Sequence, residues 1–168
     1  MSRPVHSDQP NGGDVETAFR ILSDESWAQR KQDALRDGSR LVRREDKPDG
    51  GVLLVVSREL PAGVPGFLER FLPKDGRVTQ TDDWGPSQGG SRSGTWTVEI
   101  PGAPAKLGGT MRLDATPTGS RFVVDGAVEV KVPLVGGKAE SFIAGMVEKL
   151  AAKEADVLRG ALTAGEPA

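Results

Sequence analysis

Three ionisable residues fall among apolar neighbours and could do chemistry there: Arg58, Asp82 and Glu154. Asp82 shares a strand face with Gln80 and Trp84, Arg58 shares one with Val56 and Leu60, and Glu154 sits inside the apolar stripe of a C-terminal helix. A carboxylate held among apolar groups has a raised pKa unless it is paired, which suits a general acid or a polar anchor for a ligand. The alternative is that Glu154 reaches the rim or bonds an arginine such as Arg58 or Arg77, since buried charges are usually paired. His6 is the only histidine, and no serine or carboxylate constellation is recognisable around it. Gly89-Gly90-Ser91-Arg92-Ser93-Gly94 superficially resembles a phosphate loop. It lacks the Gly-Lys-Ser/Thr ending and leads into a strand, so it reads as a surface loop. Arg40, Arg43 and Arg44 are followed at once by Glu45 and Asp46, the pattern of a solvated face.

Composition narrows the field further. The 168 residues include no Cys and no Tyr, and the formal net charge is −2. Disulfide scaffolds, zinc–thiolate sites, iron–sulfur centres and a Cys nucleophile are excluded. Near-neutral charge gives no footprint for nucleic acid. The run Val52-Leu53-Leu54-Val55-Val56 is far shorter than the ~20 residues of a membrane helix. No apolar N-terminal stretch of secretory type is present, so a cytoplasmic protein without integral membrane association is expected. No metal or cofactor is expected either.

The elements that must position these residues can be read from Gly and Pro punctuation. Strands are predicted at 39–47, 51–60, 77–84, 94–100, 105–115 and 120–132, with longer breaks from Gly85 to Gly94 and from Pro101 to Pro104. Residues 3–9 could add a first strand. Short connections imply an antiparallel meander. In the last three strands Trp96, Val98, Met111, Leu113, Phe122 and Val124 share one face with other apolar residues, while charged residues occupy the other. That alternation describes a sheet with one wet side. Val52–Val56 is apolar on both faces, which predicts either a second cover or a partner molecule there.

Asp14 and Asp24 are placed to cap two short helices, the second running over about 25–37 and ending near Gly38. A further short helix is predicted over 65–72. From Ala139 onward, Phe142, Ile143, Met146, Val147, Leu150, Val157, Leu158 and Ala161 recur at spacings of three and four. A helix of about 25 residues would extend ~37 Å, enough to cross the sheet. Gly136-Gly137 gives the corner before it. The whole is read as one domain over 3–163, with 164–168 as a frayed tail.

This order of elements resembles the helix-grip fold of the START-like (SRPBCC) superfamily, which includes birch-pollen-allergen-like proteins and polyketide cyclases. The fold class implied is α+β: a curved antiparallel sheet of six or seven strands wrapped around a long C-terminal helix, with two short helices after the first strand. Three motifs look like an uncharacterised, mainly actinobacterial branch: Trp84-Gly85-Pro86, the stretch from Gly94 to Pro104, and Lys131-Val132-Pro133-Leu134-Val135-Gly136-Gly137-Lys138. That branch has no established catalytic motif to carry over. The superfamily implies an apolar cavity between sheet and helix, which in many members holds lipids, sterols or polyketides.

Periodicity does not distinguish a lined cavity from a solid core. Keeping ~300 Å³ empty would cost ~7 kcal/mol, against a total stability of only ~5–15 kcal/mol. Any space should therefore be small, wet or occupied. Gly109 and Gly126 leave room on the inner face, and Met111 and Met146 are adaptable fillers. If the space binds a small hydrophobic molecule, the expected contacts are Trp96, Val98, Met111, Leu113, Phe122, Val124, Phe142, Met146 and Leu150, with Arg58, Asp82 and Glu154 as possible polar anchors. A cyclase- or dehydratase-like enzyme is the alternative. A regulatory domain with a filled core, docking through Val52–Val56 and the 67–72 segment, is a third reading.

Overall fold

A computed structural model describes residues 2–164. Its elements run β1 (Arg3–Asn11), α1 (Val15–Ser23), α2 (Trp27–Leu35), β2 (Arg40–Asp46) and β3 (Val52–Glu59), then a 3-10 helix (Gly66–Phe71). They continue with β4 (Arg77–Gln88), β5 (Ser91–Glu99), β6 (Ala105–Thr116), β7 (Gly119–Val130) and α3 (Gly136–Thr163). Seven antiparallel strands form one sheet in the order β1-β7-β6-β5-β4-β3-β2. Strands β2 to β7 are the predicted meander, and β1 returns to pair with β7 from Arg3↔Val128 to Asn11↔Ser120. With α3 laid across the inner face, this is the helix-grip α+β fold. Most of the predicted tail, residues 165–168, lies outside the described residues.

Several local readings need correction. The break from Gly85 to Gly94 is mostly strand: β4 and β5 extend towards each other and close in a tight turn at Gly89-Gly90. Both glycines have positive φ, 61° and 84°, as a two-residue hairpin turn of the right twist requires. Gly85-Pro86 sits in a register shift of β4 between Trp84 and Ser87, where a bulge absorbs a proline that a regular ladder would reject. Asp14 caps α1 through Thr17 N–H, as expected. Asp24 does not cap α2; it receives the backbone N–H and hydroxyl of Ser26 and closes the turn between the two helices.

Among the described residues no second layer covers the apolar outer face of β3. Leu53 and Val55 are half-buried, in register with Glu45 and Arg43 on one side and Asp83 and Thr81 on the other. Long polar neighbours thus flank them, as amphipathic stems often do.

The long helix follows its predicted span but is turned about its axis. Its buried residues are Gly136, Ala139, Glu140, Ala144, Ala155, Leu158 and Ala161, whereas Phe142 and Met146 are only half-buried. The helix therefore meets the sheet along its alanines, and small side chains allow its backbone to settle onto β1 and β7. Buried Glu140 accepts the Val130 backbone N–H at 2.9 Å, tying the first turn of α3 to the end of β7.

Room left by the paired inner glycines, Gly109↔Gly126, is taken up by Trp96. A Cβ on Gly126 would run into the Gly108 carbonyl oxygen and stand 2.7 Å from Trp96 Cζ2, and one on Gly109 would run into the Asp125 carbonyl oxygen. The indole Nε1 donates to that same carbonyl at 3.1 Å. Gly126→Ala should cost roughly 1–3 kcal/mol, because the added methyl must displace the Gly108 carbonyl as well as the indole. Urea denaturation read by tryptophan fluorescence checks it; an unchanged midpoint would mean the ring has another place to go.

Candidate functional site

Between the sheet and α3 lies a cavity of about 60 Å³. Strands β4 to β7 supply its floor through Trp84, Trp96, Val98, Met111, Phe122 and Val124. The helices close it with Leu22 of α1, Trp27 of α2, and Val147, Leu150 and Ala151 of α3. Polar groups are Arg58 on β3, Gln80 and Asp82 on β4, and Glu154 on α3. An empty space of that size costs only about 1.4 kcal/mol at ~24 cal/mol per Å³, a tolerable defect in a protein of ordinary stability. Larger concavities are surface features: one of about 720 Å³ runs over the polar face of β5 to β7, past Thr97, Lys106 and Glu129.

Of the residues singled out from the sequence, Trp96, Val98, Met111, Phe122, Val124 and Leu150 line the cavity, as do Arg58, Asp82 and Glu154. Leu113 does not; it is fully buried, opposite Arg92 and Phe122 in the ladder. Phe142 and Met146 do not line it either, because the rotation of α3 carries them away from the cavity and brings Val147, Ala151 and Glu154 to it. Phe142 instead packs against the edge of the core.

Glu154 is paired with neither Arg58 nor Arg77. Its Oε1 accepts a hydrogen bond from Lys31 Nζ at 3.0 Å, and Lys31 is only 2% exposed. Arg77 is engaged elsewhere, donating to the Ser57 hydroxyl and the Gly38 carbonyl. Lys31 is the residue that sequence reasoning missed. Its signal was the i, i+4 spacing from Trp27, which places it on the buried side of α2.

Asp82 stands between Leu54 and Trp96 in the ladder, so neither cross-strand neighbour offers it a polar group. Its carboxylate accepts a hydrogen bond from Gln80 Nε2 at 3.0 Å. The residue is half-buried by surface area, yet so much protein encloses its carboxyl that loss of hydration dominates. Burial pushes its pKa up to about 6; the Gln80 bond opposes this, the nearby Glu154 charge adds to it, and Lys31 and Arg58 pull weakly the other way. A carboxyl that titrates there can give or take a proton near neutrality.

An aromatic column supports the floor. Trp84 meets Phe19 edge-on at 5.6 Å and Phe122 at 6.1 Å. Arg92 stacks over Phe19 at 3.8 Å and makes a two-pronged pair with Glu16, at 2.9 and 2.8 Å, holding that carboxylate below its usual range. Trp84 is 1% exposed, and its Nε1 has no hydrogen-bond partner among the described residues. Arg58 Nε is likewise buried and unpartnered.

His6 lies away from this site, on the sheet edge strand β1. It is exposed and bonded through Nδ1 to Asp125 Oδ1 at 2.5 Å, which raises the imidazole pKa. Among the described residues no cluster of three or more His, Cys, Asp or Glu could hold a metal ion, and no helix is long and apolar enough to cross a membrane.

The fold is shared with solved structures at low identity. Norcoclaurine synthase from Thalictrum flavum, solved in complex with dopamine and hydroxybenzaldehyde, aligns at a TM-score of 0.62 with 16% identity, covering 100% of this chain and 90% of that one. The di-domain aromatase/cyclase StfQ of the steffimycin biosynthetic pathway aligns at 0.65 with 12% identity, covering 95% of this chain and 50% of StfQ. In sequence, an uncharacterized protein of Mycobacterium tuberculosis is 29% identical over 109 residues, 62% of this chain. The matched part spans 63% of that relative's length. The helix-grip fold is thus shared with these structures, and the match over residues 9–162 is to a family described as a protein of unknown function. The chain belongs to that family, DUF2505.

Proposed function

We propose that this protein binds a small, largely hydrophobic molecule in the cavity between the sheet and α3, with Arg58, Asp82 and Glu154 at its polar end. The observation that carries the reading is the composition of the cavity wall. Eleven apolar residues enclose a space into which four polar ones converge, the usual make-up of a small-molecule site. A core selected only for packing has no use for a desolvated carboxyl beside a half-buried guanidinium. The neighbours support a ligand-binding or cyclase-like role at the level of the superfamily.

Volume limits the guest. Sites for drug-sized ligands occupy ~300–1,000 Å³, so about 60 Å³ suits a small compound. A lipid, sterol or polyketide requires α3 to lift off the middle strands. Native mass spectrometry of gently purified protein, with organic extraction, should find a small guest. Ala151→Leu, which grows into the cavity, should reduce guest occupancy at least roughly tenfold while leaving the melting temperature unchanged or higher. Equal occupancy in the variant, or no guest together with no thermal shift from small organic compounds, would overturn the proposal.

A second reading, an enzyme of the cyclase or dehydratase kind, is favoured by one observation. Asp82 is a proton donor or acceptor poised near neutrality against an apolar floor.

A further inference from the structure

Most of the arginines around the core have their donors occupied. Arg92 holds Glu16 and two backbone carbonyls, Arg77 holds Ser57 and Gly38, and Arg44 Nε donates to the Ser23 carbonyl. Arg58 is different. It lines the cavity, opposite Val78 in the ladder, and it feels Asp82 electrostatically, but it forms no salt bridge among the described residues. Its Nε is shut off from solvent with no acceptor. Trp84, which lines the same cavity, has a second buried donor without an acceptor. Native proteins leave few such donors unmet, and a guanidinium without a salt bridge at a cavity wall calls for an acceptor that the chain does not provide.

We infer that the guest carries a carboxylate, received by the Arg58 guanidinium. This rests on the cavity reading above and names the chemistry of its guest. Lys31 and Glu154 neutralise each other at 3.0 Å, so that below about pH 6, where Asp82 holds its proton, Arg58 is the remaining charge at the polar end. Below about pH 6 burial keeps Asp82 protonated, so that carboxyl competes weakly for the guanidinium; above it the ionised Asp82 opposes an anionic guest. A carboxylate matches the planar fork of arginine with two parallel hydrogen bonds. It is also compact, as about 60 Å³ demands, where a hydrated phosphate dianion would crowd Glu154. The apolar walls require the rest of the guest to be hydrocarbon, so the class is small organic acids with a short aliphatic tail.

Calorimetric titration of the full chain at about pH 5.5, with acetate and propionate each against its neutral counterpart (ethanol, propanol), tests this. Each acid should bind roughly tenfold or more tighter than its counterpart, the value of a charge-assisted hydrogen bond freed from water. Arg58→Met keeps the aliphatic stem and should erase that preference while retaining the alcohols. Equal binding of acid and alcohol to the wild type, or a preference that survives in Arg58→Met, would overturn the inference and leave the hydrophobic site standing. No binding by any of the four probes would remove both. If Arg58→Met fails to fold, the wild-type ratio of acid to alcohol decides alone.

Discussion

Lys31→Met is expected to destabilise the protein by about 3–5 kcal/mol at pH 7, the range seen when one partner of a buried ion pair is removed. The lysine is 2% exposed and its partner's side chain 22% exposed, so the carboxylate left behind is shielded from most, though not all, compensating water. That residual access puts the effect at the lower end of the range. The double variant Lys31→Met/Glu154→Leu should recover most of the loss, because an apolar pair of similar volume avoids the desolvation that the ion pair must overcome. Urea denaturation of the wild type, both single variants and the double variant closes the cycle. A double variant as unstable as Lys31→Met would show that the lysine matters for packing α2 onto α3 and not for its charge.

The ion pair illustrates what could and could not be read from the chain. The strands were legible because alternation of apolar and charged residues specifies register: shifting β6 by one residue would bury Lys106, Arg112 and Asp114. The span of α3 was legible for the same reason, at a period of 3.6. Its rotation was not. Ranking positions by hydrophobicity gave Phe142 and Met146 the inner side, while the helix in fact seats its alanines, whose value lies in being small enough for close approach. A stripe of small residues carries little weight in a hydrophobic pattern, so the two residues that the pattern favoured most were misplaced. Asp82, Arg58 and Glu154 were found because a charge on an apolar face is conspicuous in one dimension. Lys31 was not, since its partner lies 123 positions away and only the packing of two helices brings them together. Gly109 and Gly126 were read as open space. The indole that fills it comes from a third strand, a relation that pairing supplies and spacing does not.

The remaining large effect concerns Asp82 and depends on pH. Its carboxyl titrates near 3.8 when unfolded and at about 6 when folded. Below pH 4 both states hold the proton and the residue is neutral to folding. As pH rises from about 4 to about 6 the unfolded chain releases its proton first, so it binds fewer protons than the folded one, and stability falls with pH across that window. Above about 6 the loss is complete, on the order of 3 kcal/mol for a shift of about two units. Asp82→Asn keeps an acceptor for the Gln80 amide and carries no charge. It should therefore match the wild type near pH 4 and exceed it by about 2–3 kcal/mol at pH 7.5, measured as urea midpoints across the range. A constant difference at all pH values would mean that shape, not ionisation, separates the two side chains. Lys31→Met should move the window upward, because it removes a cation that now favours the ionised form. A residue that lowers stability at neutral pH, where a simple amide would not, is retained against the interest of the fold, and the place to look for its compensation is the cavity it faces. If the protein is an enzyme, Asp82→Asn abolishes turnover of the compound recovered from the cavity. If it is a carrier, the variant still binds that compound and is simply harder to unfold.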